Sequence, residues 1–150
     1  MTRRLQPISI STERERLDVD AIHASLAKTY WADGISRHRV ARSIDESLCF
    51  GMFAGEKQVG FARVVTDRAT FAYLCDVYVL DELRGRGLGK RLIAAVRAHP
   101  DLRDLRRFVL WTRDAHGLYE QFGFQRLGNQ PGLMGVIAPF GYADEKGTPP

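Results

Sequence analysis

The feature that most constrains the fold is an apolar run, FAYLCDVYVL at 71–80, that leads directly into a glycine-rich turn. Both alternating faces of the run are apolar except at Asp76, which is typical of a strand in the interior of a sheet. After the turn, Leu88, Leu92 and Val96 recur at helical spacing. The sequence therefore predicts an internal strand, a tight turn and a helix in immediate succession.

The segments before this unit predict one strand, two helices and a hairpin. The strand is expected around 7–12, and the second helix is expected to begin after Ser36 as its N-cap. The hairpin is LCFGMFAGEKQVGFARVVTD at 48–67, in which Gly55 marks the turn between two apolar runs.

The segments after the unit predict a buried strand at 107–112 and a short helix capped by Asp114 and ended by Gly123. Two closing strands are expected at 124–127 and 133–137. This order of elements favours an α/β (α+β) fold with a mixed sheet flanked by helices. We expect one domain over 1–143 and a flexible tail at 144–150.

The composition is that of an ordinary globular domain with a basic surface. The 150 residues are 45% hydrophobic, and the formal net charge is +4. Cys49 and Cys75 lie in apolar runs, so we expect buried, reduced thiols and no metal site. Without an apolar stretch long enough for a signal peptide or a membrane span, we expect a cytoplasmic protein with no membrane partner.

The turn itself reads LRGRGLGKRL at 83–92 and combines three glycines with four basic side chains. A helix N-terminus exposes unpaired N–H groups, and glycines let a ligand approach the backbone closely. The basic residues Arg84, Arg86, Lys90 and Arg91 would add charge-assisted contacts to phosphate. The turn therefore predicts a cradle for an anion.

Two common nucleotide-binding patterns fail at this turn. A dinucleotide fingerprint that starts at Gly85 requires glycine where Lys90 stands, and a P-loop requires glycine at Arg84 and serine or threonine at Arg91. The pattern that remains is Arg84-x-x-Gly87-x-Gly89.

This pattern resembles the signature R/Q-x-x-G-x-G/A of the GNAT superfamily of N-acetyltransferases, which binds the pyrophosphate of acetyl-coenzyme A. Upstream, DVYVLDELRGRGLG is similar to the bulged strand and loop of that family; downstream, AHGLYEQFGF resembles its second conserved segment, A-x-x-x-Y-x-x-x-G-F. The matches cover about half of the chain. The resemblance implies a mostly antiparallel GNAT-like sheet and acetyl-CoA as co-substrate.

The resemblance also implies specific cofactor contacts. The pantetheine arm would pair with the strand backbone at Val77, Tyr78 and Val79. The pyrophosphate would bind the turn, at Arg84, Gly85, Arg86, Gly87, Leu88, Gly89 and Lys90.

The same family implies direct attack of an amine on the thioester in a ternary complex. Tyr119 would donate a proton to the departing thiolate, and Asp76 would deprotonate the amine through water. Alternatively, Asp76 is satisfied by backbone or arginine partners, His116 is the base, or bulk water takes the proton. Thr112 stands where many relatives carry asparagine, which leaves any asparagine-mediated contact without its usual residue.

The acceptor in this family contacts the loops corresponding to 29–34 and 129–133. Tyr30 and Trp31 would suit an apolar or aromatic amine, and Asp33 could attract its ammonium group. Alternatively, both aromatic residues anchor the helix pair to the core. We expect a small-molecule or peptide amine, and a homodimer is compatible with the sequence.

Two functions of other classes stay open. A catalytically idle sensor would bind acetyl-CoA without turnover. A nucleic-acid binder would use Arg103, Arg106 and Arg107 and would show steep salt dependence, but no aromatic-and-basic RNA motif supports it.

Overall fold

The computed structural model describes residues 6–138 and 141–142, where five strands form a single sheet. The strands are β1 (Ile8–Ser11), β2 (Leu48–Ala54), β3 (Lys57–Thr66), β4 (Phe71–Val79) and β5 (Arg107–Leu110). They lie in the order β1-β2-β3-β4-β5. Neighbours are antiparallel except β4 and β5, which are parallel. The predicted mostly antiparallel α/β architecture is confirmed.

Four α-helices flank this sheet: α1 (Val19–Leu26), α2 (Arg37–Asp45), α3 (Leu88–Ala98) and α4 (His116–Glu120). Ser36 caps α2 as predicted, because its side chain accepts a hydrogen bond from the Arg39 N–H at 3.2 Å. Helix α1 begins after Asp18, which accepts from the Ala21 N–H at 3.0 Å.

The sheet has a separate hydrophobic core on each face. Cys49 and Phe53 of β2 pack with α1 and α2, whereas Phe50 and Met52 pack with α3. Successive residues of a strand point to opposite faces, so these neighbours separate the two layers. The described residues therefore form a three-layer arrangement with the sheet in the middle.

Strands β4 and β5 pair only at their amino-terminal halves. The register runs from Phe71 opposite Arg107 to Leu74 opposite Leu110, where β5 ends. From Cys75 to Val79, β4 keeps its antiparallel partner β3 and has no strand on its other side. This divergence opens the sheet beside β4, next to the turn that begins α3.

Several sequence predictions are wrong toward the carboxyl end. Residues 124–127 and 133–137 are not strands: their backbone pairs with no strand of the described sheet, and Leu133, Met134 and Val136 are exposed. β-propensity needs a partner strand and a buried face, and neither is present here. The glycines at 128, 132 and 135 further weaken an extended run.

The predicted buried strand at 107–112 is only Arg107–Leu110, and it lies half-buried at an edge of the sheet. Asp114 does not cap the next helix; Ala115 is the N-cap and makes no side-chain capping bond. Gly123 is left-handed as predicted, with φ of 91°, but helix α4 already ends at Glu120. The predicted tail at 144–150 lies outside the described residues.

In the described chain no helix is both long and apolar enough to cross a membrane. Cys49 is buried, Cys75 is half-buried, and both are free thiols as predicted.

Candidate active site

The divergence of β4 and β5 opens into a cleft of about 1390 Å³. Its walls are the end of α1 with the aromatic loop (residues 29–34), the carboxyl-terminal part of β4, and the loop after β5. Tyr119 of α4 closes one side. Sequence-distant segments thus meet at the one place where the internal strand lacks a neighbour.

The glycine turn (residues 84–89) lies at the end of β4 and opens α3. Gly85 and Gly87 have φ of 80° and 74°, a left-handed backbone that strongly favours glycine. Apart from the adjoining residues and the backbone of α3, no described atom lies within 4 Å of where a β-carbon would project from Gly85, Gly87 or Gly89. The space above the turn is therefore open to a ligand.

Gly87 is the N-cap of α3 and has no side chain to satisfy the first N–H groups. These groups and the helix dipole favour an anion at this point. Leu88 is 5% exposed and packs in the core, so only its backbone can face a ligand. The residues fit the pyrophosphate cradle that the sequence predicts.

The basic side chains of the turn differ in their partners. Arg84 pairs with Asp81 at 2.9 Å, and Arg91 donates to the Ile8 carbonyl at 3.4 Å. Arg86 and Lys90 are exposed and have no ion pair among the described residues. The structure thus leaves these two cations available for phosphate.

The predicted pantetheine-binding strand has one free backbone edge. Tyr78 and Val79 pair with Phe61 and Gly60 of β3, so the opposite edge faces the cleft. The Tyr78 side chain packs on the α1–α2 core, and its burial raises the pKa of the phenol to about 12 despite a hydrogen bond with Ser25. Tyr78 therefore offers backbone, not side chain, to a ligand.

Tyr119 lies at the boundary between the core and the cleft. It is 9% exposed and makes an edge contact with Phe124 at 5.9 Å. Burial, with smaller contributions from Tyr30 and Asp114, raises its pKa to about 12. The phenol therefore remains protonated at neutral pH and can act as a hydrogen-bond donor in the cleft.

Asp76 occupies a bulge in β4 and adopts φ of 55°, an uncommon conformation for a non-glycine residue. Its carboxylate accepts from Arg63 Nε at 2.8 Å and from Trp31 Nε1 at 3.0 Å. Arg63 also donates to the Ser47 hydroxyl at 3.1 Å. Asp76 thus has the arginine partner that the alternative interpretation expected. The role of Asp76 as base stays a prediction.

The aromatic loop contacts two walls of the cleft. Trp31 reaches Asp76 on β4 and packs against the α1–α2 core, as the anchoring alternative expects. The Tyr30 ring meets Trp31 edge-on at 5.1 Å and lies beneath the Arg113 guanidinium at 3.8 Å. Asp33 does not line the cleft, so its predicted role toward an ammonium group gains no support from its position.

Thr112 and His116 lie on either side of the N-cap of α4. Thr112 accepts a hydrogen bond from the Ala115 N–H at 3.0 Å and so stabilises the turn before α4. His116, the alternative base, begins α4 and is absent from the cleft lining. The alternative of His116 as the base therefore gains no support from its position.

Sequence reasoning missed Arg63 and Arg113. Arg63 is the one charge within the otherwise apolar run VGFARVV at 59–65, as Asp76 is within β4. Two such lone charges on adjacent strands signal a buried pair. Arg113 carries no comparable sequence signal, since it lies in a polar loop.

Cys75 also lines the cleft, but burial raises the pKa of its thiol to about 12. In the part of the chain that the structure describes, no group of three or more His, Cys, Asp or Glu side chains could hold a metal ion.

Comparisons with known proteins agree with this fold. The sequence profile of the Acetyltransferase (GNAT) family matches residues 17–124. A crystal structure from Xanthomonas campestris pv. campestris, assigned to the GNAT family of acetyltransferases, is 50% identical. It superposes with a TM-score of 0.86 over 91% of this chain and 96% of that chain.

Two further proteins extend the comparison. A Gibberella zeae protein assigned as an acetyltransferase is 30% identical over 152 residues, spanning 85% of this chain and 84% of its own. A Clostridium acetobutylicum structure solved with acetyl-CoA has a TM-score of 0.65 over 85% of this chain and 96% of that chain. At 11% identity it shows only the shared fold.

Proposed function

The chain belongs to the GNAT family of acetyltransferases, and on that premise we propose that it acetylates a primary amine of a small molecule or peptide by direct attack on acetyl-CoA in a ternary complex. The observation that carries this proposal is the cleft along the free edge of β4. Its lining includes Arg84, the first residue of the glycine turn, together with Tyr119 and residues 29–31 of the aromatic loop. A donor and an acceptor can therefore be held together.

The cofactor contacts follow from the free groups of the chain. The first N–H groups of α3, with Arg86 and Lys90, would bind the pyrophosphate, and the free edge of β4 at Val77–Val79 would bind the pantetheine amides. Acetyl-CoA supplies the activated thioester. Binding of its arm along the backbone edge of β4 would hold the thioester within the cleft that the aromatic loop also lines.

Transfer requires the amine nitrogen to bond to the carbonyl carbon, after which the carbon–sulfur bond breaks and the thiolate leaves. We propose that Tyr119 donates a hydrogen bond, and then its proton, to that sulfur. Its raised pKa of about 12 would by itself make this transfer uphill. The same desolvation also raises the pKa of the departing thiol beside it. The difference between the two pKa values is therefore smaller than a comparison of the buried phenol with a thiol in water suggests.

The proton of the amine needs a separate destination. Asp76 retains unused lone pairs after its bonds to Arg63 and Trp31, so it can accept from a water or from the ammonium group. We propose Asp76 as that acceptor, with loss of the proton to bulk water as the competing route. Asp76→Asn tests this, because it keeps an acceptor for Trp31 and removes the charge.

Cys75 takes no part in the proposed reaction. Its thiol is held protonated at neutral pH, since burial raises the pKa to about 12, so a covalent acetyl-cysteine is disfavoured. The reaction should therefore follow ternary-complex kinetics.

The proposal is tested by thiol release from acetyl-CoA in the presence of amines, amino acids, polyamines and peptides, with mass spectrometry of the acetylated product. We expect release that depends on one class of amine and falls in Tyr119→Phe. Binding of acetyl-CoA without turnover would identify a sensor instead. Absence of acetyl-CoA binding, with salt-dependent binding of nucleic acid, would overturn the assignment.

A further inference from the structure

Seven charged side chains line the cleft, and their pairing is uneven. Three carboxylates are already matched: Asp76 with Arg63 at 2.8 Å, Asp81 with Arg84 at 2.9 Å, and Glu82 with Lys57 at 3.9 Å. Lys28, Arg113 and Asp114 have no ion pair among residues 6–138 and 141–142. The unmatched charges are thus two cations and one carboxylate.

Arg113 is the more constrained of the two cations. Its guanidinium lies 3.8 Å from the centre of the Tyr30 ring, a cation–π contact that restrains the group while its N–H edges stay available. Tyr30 belongs to the aromatic loop, at the wall of the cleft opposite the loop that carries Arg113. A planar, oriented guanidinium of this kind is suited to bidentate binding of a carboxylate.

We propose that Arg113 binds the carboxylate of the acceptor and that the acceptor is a free α-amino acid with an apolar or aromatic side chain. The inference rests on the proposed function. Asp114, the next residue in the loop, is an unmatched carboxylate that can attract the ammonium group into the cleft before Asp76 accepts its proton. Trp31 and the exposed Trp111 line the same cleft and offer apolar surface to the acceptor side chain.

This charge pattern discriminates between amine classes. A peptide amino terminus carries an amide where a free amino acid carries its carboxylate, so it would leave Arg113 without a partner. A polyamine would bring further positive charge beside Arg113 and Lys28. Only an acceptor with an anionic group close to its amine matches the described charges.

The experiment uses matched pairs of acceptors: phenylalanine with phenylalaninamide, and leucine with leucinamide. Thiol release gives kcat/KM for each member with the wild-type chain, Arg113→Gln and Arg113→Lys. The acid-to-amide ratio in each variant is divided by the wild-type ratio, which cancels the different amine pKa values of acid and amide. Arg103→Gln makes the same chemical change at an exposed arginine outside the cleft.

We expect Arg113→Gln to lower the acid-to-amide ratio about 10- to 100-fold, the range of a charge-assisted hydrogen-bonded contact. The acid-to-amide ratio of Arg113→Lys should lie between those of Arg113→Gln and the wild type, because lysine keeps the positive charge but lacks the planar guanidinium group. Arg103→Gln should leave the ratio unchanged, and the affinity for acetyl-CoA should be equal in all four proteins.

An unchanged ratio in Arg113→Gln would overturn the inference, as would turnover confined to peptides or polyamines; either result leaves the acetyltransferase assignment standing. A loss of acetyl-CoA affinity with the ratio retained would assign Arg113 to the cofactor and overturn it equally. Acetyl-CoA binding with no turnover of any amine would remove the proposed function and this inference together.

Discussion

Arg63 donates to Asp76 at 2.8 Å across two neighbouring strands, and both side chains are largely buried, at 19% and 10% exposure. Trp31 donates to the second oxygen of the same carboxylate at 3.0 Å. The pair therefore joins β3, the bulge of β4 and the aromatic loop. Asp76 adopts a left-handed backbone conformation, which is costly for a non-glycine residue. The contacts with Arg63 and Trp31 help to stabilise that conformation in the bulge.

Removing Arg63 should destabilise the chain strongly. Arg63→Met leaves a buried carboxylate without its counter-charge, which costs about 3 kcal/mol or more of unfolding free energy. Trp31→Phe keeps an aromatic ring and loses one hydrogen bond, so about 1 kcal/mol is expected. Denaturant unfolding measures both changes.

A double variant serves as the control for this pair. Arg63→Met combined with Asp76→Asn should recover part of the loss, because the neutral amide no longer needs a cation. Equal stability of the single and the double variant would mean that the charge of Asp76 is not what Arg63 stabilises.

Tyr119→Phe should lower kcat about 100-fold while the affinity for acetyl-CoA is nearly kept, because only the proton donor to the leaving sulfur is lost. Tyr73→Phe is the matched control, since Tyr73 lines the same cleft on β4 and has no assigned role. Single-turnover measurements make chemistry the observed step. An unaltered single-turnover rate in Tyr119→Phe would remove its role as acid.

Alkaline pH should destabilise the fold through its buried tyrosines. The pKa values of Tyr78 and Tyr119 are raised to about 12 in the folded chain, above the ordinary value of ~10. Their contribution is complete below about pH 10 and is lost as pH rises toward 12, because ionisation favours the unfolded chain. Denaturant midpoints measured from pH 9 upward should fall, and less steeply in Tyr78→Phe.

The tyrosinate absorbance of the folded chain provides an independent check. The chain has five tyrosines. If all five titrated near the ordinary value while the chain stayed folded, burial of Tyr78 and Tyr119 would not explain the loss of stability.

The thiols should react slowly and take no part in turnover. Burial raises the pKa of Cys49 and of Cys75 to about 12, so iodoacetamide at pH 8 should modify them on the order of 10³ times more slowly than free cysteine. Cys75→Ala should keep kcat. Ping-pong kinetics, or an acetyl group found on Cys75 by mass spectrometry, would contradict direct attack.

The strand, turn and helix that form the proposed cofactor side could be predicted from the sequence because their signals are local. Gly85 and Gly87 have the left-handed conformation that glycine permits, and Leu88, Leu92 and Val96 form the buried stripe of α3. Such patterns depend on neighbours a few residues away. The N-cap at Ser36 could be predicted for the same reason, because capping also depends on residues within one helical turn.

The proposed acceptor side depends on contacts between distant segments, and local sequence signals did not specify which residues meet there. Trp31 meets Asp76 from a separate layer, and the register that brings Arg63 to Asp76 is set by a bulge. Arg113 reaches Tyr30 only because β5 ends early and its loop turns toward the aromatic loop. The predicted closing strands failed for the converse reason, since local β-propensity does not supply a partner.

The most direct test of the central claim, that the cleft binds acetyl-CoA at the glycine turn, is calorimetry with Gly87→Glu. Glutamate would fill and charge the open space above the turn and would strain a backbone at φ of 74°. Gly128→Glu, at an exposed glycine outside the cleft, is the matched control. We predict binding by the wild-type chain and by Gly128→Glu, and no measurable binding by a folded Gly87→Glu; equal affinity in all three would contradict the account.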